Sequence, residues 1–465
     1  MKGKELVNLI DSQKAGELFV SLYGGDKTDS ARERYRRLVE GLIDERGFPK
    51  QDFPESSGEL RIFSVPGRTE LGGNHTDHNR GKVLAASIHL DAVAVVAARQ
   101  DKQIFFRSTG HRDVRVDLTD LSLRESERGD TEALIRGIAA EFSSQGTPVG
   151  GFTANAESLV FTGSGLSSSA AIEVLFSKIF DVLHCGGKRS FLDLAKIGQK
   201  AENVYFGKPC GLMDQSACAA GGAVAIDFKD PQNPKVSNIN FDPEASGFAL
   251  CVVNTRGSHS DLTPDYAAIP KEMKDVAAFF GKAALRELDE ETIMPRIAEL
   301  RQAAGDRAIL RAFHFFSENK RVDAMQRVLE NMGALQRKNA AANDQERKML
   351  MGSFLALVRE SGDSSWELLQ NIYSTKNPAS QGLGLALALT NNFLKTSGAG
   401  SVLQNGAARV HGGGFAGTIQ AYIPLDALDN YRKLIEGVFG NGTLTVLRIR
   451  QLGAIELEIG MGNRE

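Results

Sequence analysis

Three short stretches of this chain concentrate residues that can do chemistry. The first, Gly163 to Ala171, reads Gly-Ser-Gly-Leu-Ser-Ser-Ser-Ala-Ala and opens the helically spaced run AAIEVLFSKIFDVL. Glycine lets a backbone approach a ligand closely, and a helix N-terminus offers unpaired N–H groups and partial positive charge. Such a turn suits phosphate; a flexible turn with a serine cap is the other reading of the same residues. No Gly-Lys-Ser/Thr follows and the third glycine of a dinucleotide fingerprint is missing, so neither a Walker A loop nor a Rossmann turn fits. The second stretch, Pro66 to Gly81, collects Arg68, Asn74, His75, Asp77, His78 and Asn79 beside glycines, directly after a strand-like run. Amides, imidazoles and carboxylates donate and accept in fixed directions, which is what a polyol requires. The same residues also admit a metal site or a plain surface turn, although no other His/Cys/Asp cluster supplies the missing ligands. In the third, Ala201 to Gly222, Glu202 lies on a helix end and Asp214 sits in a Gly-Leu-Met-Asp-Gln turn among apolar neighbours. An aspartate in that setting is a helix cap or an acid–base group with a tuned pKa.

The elements around these stretches follow from periodicity. Residues 29 to 46 read as a helix, with Asp29 or Ser30 as cap and Tyr35, Leu38, Leu42 and Ile43 at helical spacing. From Leu60 the runs LRIFSV, IHLDAVAVVAA, IFFRS and RVDL read as strands, as does ESLVF before the phosphate-type turn. Residues 131 to 142 and 170 to 184 return to helical spacing, and AGGAVAIDF reads as a further strand. Beyond residue 230 come the strand FALCVVNT and a long tract from 268 to 361 rich in Ala, Leu, Glu, Lys and Arg, strong helix formers. The chain closes with strand, helix and strand: ARVHGGGFAGTIQAYIP, ALDNYRKLIEGVF and TLTVLRIR. Gly412 to Gly417 satisfies G-x-G-x-x-G literally, but a strand follows where a dinucleotide site requires a helix. The class is α+β, with a boundary expected near residue 230.

Composition narrows the function. The 465 residues suit two domains, and 42% hydrophobic with 24% charged residues is ordinary for a globular chain. With a formal net charge of −3 and the densest basic run, Arg32 to Arg37, interrupted by Glu33 and Tyr35, nucleic acid is not an expected partner. The polar N-terminus lacks the apolar core of a signal peptide, and no apolar run approaches the ~20 residues that span a bilayer. Cys185, Cys210, Cys218 and Cys251 show no CxxC spacing and read as reduced thiols. A cytoplasmic protein without membrane or obligate protein partners is expected.

Together the three stretches resemble the galactokinase branch of the GHMP small-molecule kinases, whose pocket segment reads approximately Gly-Arg-Val-Asn-Leu-Ile-Gly-Glu-His-Thr-Asp-Tyr-Asn. The matching run here is Gly67-Arg68-Thr69-Glu70-Leu71-Gly72-Gly73-Asn74-His75-Thr76-Asp77-His78-Asn79. The phosphate loop matches as Gly163 to Ala171, the base segment as Cys210-Gly211-Leu212-Met213-Asp214-Gln215, and the C-terminal glycine run more loosely. The resemblance covers most of the chain in a consistent order. It implies a two-domain fold, with a ribosomal protein S5-like N-terminal domain over residues 1–230 and a ferredoxin-like C-terminal domain over 231–465. It also implies ATP and Mg²⁺, with Ser169 and Glu202 on the metal and Gly163, Ser164, Gly165, Leu166, Ser167, Ser168 and Ser169 around the nucleotide phosphates. Asp214 and Arg68 would be catalytic, while Asn74, His75, Asp77, Gly211 and Tyr266 would meet the sugar.

Two departures from the pattern bear on the substrate. The family pattern has glutamate at Asn74 and tyrosine at His78. A glutamate facing C6 would repel a uronate by on the order of 4 kcal/mol at ~4 Å and an effective dielectric near 20; an amide removes that barrier, and Arg80 or His78 could pair with a carboxylate. The expected activity is an ATP-dependent 1-kinase for galactose or a close relative, with galacturonate as the alternative substrate. An alternative of another class is a non-catalytic sugar and ATP sensor, against which stands the retention of Ser169, Ala170, Ala171, Glu202 and Asp214.

Overall fold

Alternate residues of one strand feed two different cores, which explains why the run AVAVVAA is apolar throughout. In β2 (Lys82–Ala98), Ala92, Ala94 and Val96 join the main core, whereas Val93, Val95 and Ala97 pack against the N-terminal helices through Phe19, Tyr35 and Leu38. Side chains of a strand alternate faces, so a strand covered on both sides loses its polar positions. The computed structural model describes residues 3–43, 59–161, 165–257, 262–336, 344–396 and 406–458.

The first sheet runs β12 (Ile455–Glu456), β1 (Leu60–Gly72), β2, β5 (Phe152–Ser158), β3 (Gln103–Ser108), β4 (Val114–Asp117). β6 (Ala223–Asp227) pairs with the start of β2 and with β7 (Lys235–Ile239). Among the described residues, the only parallel pair of this sheet is β3 with β5. The second sheet is antiparallel, in the order β11 (Leu444–Leu447), β8 (Phe248–Asn254), β10 (Thr418–Pro424), β9 (Ala407–His411). Between β8 and β9 the helices Thr263–Phe279, Asp306–Gln336 and Asp344–Ser364 lie in the tract expected to be helical. Residue 230 lies in the turn between β6 and β7, the second sheet starts at Phe248, and β12 returns to the first sheet beside β1.

Three local expectations change. β1 continues through Arg68 to Gly72, with register shifts at Pro66/Arg68 and Glu70/Gly72, so Arg68 projects from a bulged strand and not from a turn. Its pairing with β2 outweighs the turn signal of the glycines, and the bulges re-aim side chains. The strand before the phosphate turn is Phe152–Ser158, not ESLVF, because pairing with β2 ends at Ser158. Asp214 lies in the first turn of a helix, Met213–Ala220.

One carboxylate ties the N-terminal helices to this scaffold. Asp91, in β2 and fully buried, accepts from Tyr23 (2.6 Å), Arg34 (2.6 Å), Ser64 and Arg450 (3.0 Å). Burial alone would raise its pKa, but the two guanidiniums and the hydroxyls hold it below the usual aspartate value. Asp91→Asn leaves Arg450 buried without a counter-charge and Arg34 with only Glu157, at 3.8 Å, and we predict a loss of about 3–5 kcal/mol in urea unfolding at pH 7. A depressed carboxylate stabilises above its unfolded pKa, about 3.9, and loses that contribution as pH falls through the folded value. The gap between wild type and variant therefore closes on acidification below pH ~4.

Candidate active site

Arg68 leaves β1 toward the first turn of helix Met213–Ala220, where Nε donates to Asp214 Oδ1 at 2.8 Å and Nη2 lies 2.7 Å from the same oxygen. Nη1 of Arg68 donates to the Gly165 carbonyl, and its backbone N–H to the Leu166 carbonyl at 3.1 Å. One arginine thus holds both the carboxylate and the phosphate-type loop. The Arg68 side chain is 6% exposed and that of Asp214 34%, so the cation is set back and the carboxylate faces the cleft.

Ser167 completes this constellation. It precedes helix Ser168–Cys185 with φ +62° and ψ +54°, and its hydroxyl donates to Asp214 Oδ2 at 2.5 Å in place of capping its own helix. A side-chain cap would satisfy one of the first-turn N–H groups. Diverting it leaves those groups to an anion, and the left-handed backbone is a strain found where function requires it. Gly165 (φ +70°) is packed so closely that a Cβ would stand 2.9 Å from His411 Nδ1. Ser168 and Ser169 lie in the first helical turn. Gly163 and Ser164 lie outside the described residues.

Beside Asp214, Gln215 Nε2 donates to Glu173 Oε2 (2.8 Å) and Glu202 Oε2 (3.1 Å), and Lys208 Nζ donates to Glu202 Oε1 (3.2 Å). Glu202 sits in the π-helical turn Ala201–Phe206, almost fully buried. Glu173 Oε1 is buried with no hydrogen-bond partner.

On the other side, the turn after β1 faces the glycine run Gly412 to Gly414. His75 (φ +58°) donates from Nε2 to the Gly413 carbonyl at 3.1 Å, since a carbonyl only accepts. Its Nδ1 is therefore an acceptor, and burial with His78 nearby pushes its pKa down to about 3, so the ring is neutral. Tyr266 donates to the Gly414 carbonyl (2.9 Å) and stands edge-on to Phe415. The Asp77 carboxylate lies over Gly211 so closely that a Cβ there would meet its Oδ2 at 1.8 Å; only glycine fits beneath it.

Asn74 behaves differently from the expectation of an amide offered to a ligand. It is 1% exposed, its Nδ2 donates to Gly412 O (2.8 Å) and lies 3.2 and 3.3 Å from the Glu70 carboxylate oxygens, and Oδ1 accepts from Asn371 (2.9 Å). Both N–H directions are used inside the protein. Arg80 pairs with Glu287 at 3.3 Å and His78 lies 3.7 Å from Asp77. Glu70, Asn371, Arg409 and His411 were not singled out by sequence. Asn371 carries no local signal, whereas Glu70 stood inside the quoted segment.

Residues 133–222 match the GHMP kinases N terminal domain, and residues 50–98 the galactokinase galactose-binding signature. The galactokinase of Actinobacillus pleuropneumoniae is 30% identical over 393 residues, 83% of this chain and 91% of that one. The chain belongs to the galactokinase family. The galactokinase of Streptomyces coelicolor is 32% identical over 276 residues, 58% and 69% of the two chains. The structure of Lactococcus lactis galactokinase complexed with galactose aligns with a TM-score of 0.68 at 23% identity, over 86% of this chain and 95% of that one. Methanococcus jannaschii mevalonate kinase aligns at 0.55 and 16% identity, over 85% and 99%. The GHMP kinase fold is shared with both.

Set against the galactokinase pattern, Glu70 and Asn74 are a reciprocal exchange: the pattern has asparagine at the first position and glutamate at the second. The structure puts the two side chains in contact, so one carboxylate and one amide are kept with their places reversed. The carboxylate thereby comes to lie against Arg409.

Burial alone would raise the Asp214 carboxyl, yet Arg68 and the Ser167 hydroxyl hold it below the usual aspartate value. We predict that Ser167→Ala, by removing a bond to the ionised form, raises that pKa. Such a bond contributes about 1.5–3 kcal/mol, so the acid limb of the kcat/KM profile moves up by about one to two pH units. A pH–rate profile checks this; an unmoved limb contradicts it.

Proposed function

We propose that the chain transfers the γ-phosphoryl group of ATP to the anomeric hydroxyl of galactose. The observation that carries this reading is the Arg68–Asp214–Ser167 constellation, which places a carboxylate at the open N-terminus of a helix with a set-back cation bridging the two. Phosphoryl transfer needs alignment and positive charge more than covalent help from the protein. Asp214 accepts the hydroxyl proton or orients that hydroxyl. With its pKa depressed it is a weak base, suited to taking the proton late, as a loose transition state permits. Arg68 stabilises charge between nucleophile and phosphoryl group, and the first-turn amides after Ser167 hold phosphate oxygens.

The residues also fit Mg²⁺. It favours hard oxygen donors, one or two carboxylates with the rest of its shell from phosphates and water. The Ser169 hydroxyl and Glu202 carboxylate are such donors, and the unpartnered Glu173 Oε1 adds an acceptor for a bound water nearby. When bound, the ion would neutralise charge on the β- and γ-phosphates. Among the described residues no group of three or more His, Cys, Asp and Glu side chains forms a protein-only metal cage, which accords with a metal held largely by nucleotide.

His75 Nδ1 and the Asp77 carboxylate present acceptors to sugar hydroxyls, with Tyr266 closing the pocket. The galacturonate alternative gains no support, because Asn74 is engaged within the protein and Arg80 with Glu287. The sensor alternative gains none either, since Asp214, Arg68 and Ser167 are assembled for transfer. No helix among the described residues is long and apolar enough to cross a membrane, and a cytoplasmic location is our reading.

Asp214→Asn should lower kcat by about 10²–10⁴-fold while galactose still binds. A coupled ADP-release assay with calorimetry of sugar binding tests this, and near wild-type turnover would refute the assignment.

A further inference from the structure

Helix Asp306–Gln336 runs along the turn that joins β1 to β2, and residues from its middle turns engage both ends of it. His314 Nε2 donates to the Asn74 carbonyl at 2.9 Å. Glu318 Oε1 accepts the Gly73 N–H at 3.0 Å, and Asn319 Oδ1 accepts the Lys82 N–H at 2.7 Å. Asp323 pairs with the Lys82 ammonium at 2.6 Å. Residues 314 and 318, and 319 and 323, are two i, i+4 pairs that together span about half the helix circumference, so one helix meets both ends of the turn.

The contacts are close and dry. His314 and Glu318 are fully buried. A Cβ on Gly72 would stand 2.7 Å from Met325 Sδ, so the helix approaches as near as glycine allows; the galactokinase pattern has isoleucine there. Because the Asn74 carbonyl only accepts, His314 carries its proton on Nε2, and Nδ1 accepts from the Ser364 hydroxyl at 2.8 Å. Glu318 also accepts from Ser361 (2.7 Å) and Arg321. His75 (φ +58°) is left-handed, a conformation that in a non-glycine residue persists only when the surroundings over-determine it, whereas Gly73 (φ +91°) adopts its positive φ freely.

We propose that His314 and Glu318 are positioning residues for sugar recognition: they hold the Gly73–Asn74–His75 backbone so that His75 Nδ1 faces the sugar. The proposal rests on the galactose kinase reading for its substrate, but not for the brace itself. Neither residue touches the reacting atoms, and the phosphate loop is held separately through Arg68.

The test compares three substitutions at His314 in the full chain. A Gln amide nitrogen reaches about as far as Nε2, whereas an Asn amide reaches only as far as Nδ1. His314→Leu is expected to raise KM for galactose ~tenfold with KM for ATP within about twofold. His314→Gln should restore most of the loss and His314→Asn should not. Equal rises in both KM values, or rescue by Asn in place of Gln, would overturn the proposal. Hydrogen exchange provides a readout independent of substrate and usable with Glu318→Gln if the Leu variant does not fold. Amides of residues 73–75 should exchange about tenfold faster in Glu318→Gln, with those of helix Met213–Ala220 unchanged; unchanged exchange at 73–75 would refute the brace. Absence of turnover or binding with galactose in the wild type would instead refute the substrate reading, and the exchange result would still judge the brace.

Discussion

Arg409 and Glu70 pair where water does not reach, at 1% and 2% side-chain exposure, with Glu318 3.9 Å away and fully buried. Each charge taken out of water costs several kcal/mol unless it is paired and its remaining donors and acceptors are satisfied. The charges that meet here come from three remote segments. β9 supplies Arg409, β1 supplies Glu70, and helix Asp306–Gln336 supplies Glu318, while Ser361 joins Arg409 and Glu318. Moving any one segment out of register strands a buried charge, so the network permits one assembly. Arg321 and Arg409 help to hold the Glu318 carboxyl at about 2 against a burial that alone would raise it.

The proposed sugar side of the site inherits its shape from that junction. Asn74 hangs from Glu70, Gly412 and Asn371, and His75 and Tyr266 from the carbonyls of Gly413 and Gly414. The glycine run, which mimics a dinucleotide fingerprint, works as a row of carbonyl acceptors. Its proximity is steric: a Cβ on Gly413 would stand 2.6 Å from the Tyr266 ring. The phosphate side is organised by a different economy of hydrogen bonds. Ser167 forgoes capping its helix to hold Asp214, and one interaction both orients the carboxylate and leaves the helix N-terminus open to an anion. Arg68 joins the two sides, since it belongs to the strand that continues into Glu70.

What was legible in the sequence was local. The glycines of the 163–171 loop announced a close approach, the serines before Ala170 announced a helix N-terminus, and Arg68, Gly211 and Asp214 stood in strings that match the galactokinase pattern. The strand and helix pattern followed from periodicity because burial of one or both faces imposes it. Errors arose where pairing decided the outcome: β1 extends through Arg68 because β2 lies beside it, and no feature of PGRTELG announces that. The departure at Asn74, taken singly, suggested an altered ligand. Only contact with Glu70 shows it to be half of an exchange.

The sequence by itself therefore determined the fold class, because helix and strand depend on residue type and on backbone preferences within a few positions, and its resemblance to the galactokinase pattern nominated the site residues. The tertiary structure decided the partners. Ser167 meets Asp214 across 47 positions, Asn74 meets Asn371 across 297 and Glu70 meets Arg409 across 339. Such pairings are set by sheet register and helix packing, and their energy comes from satisfying groups that only the assembled fold removes from water.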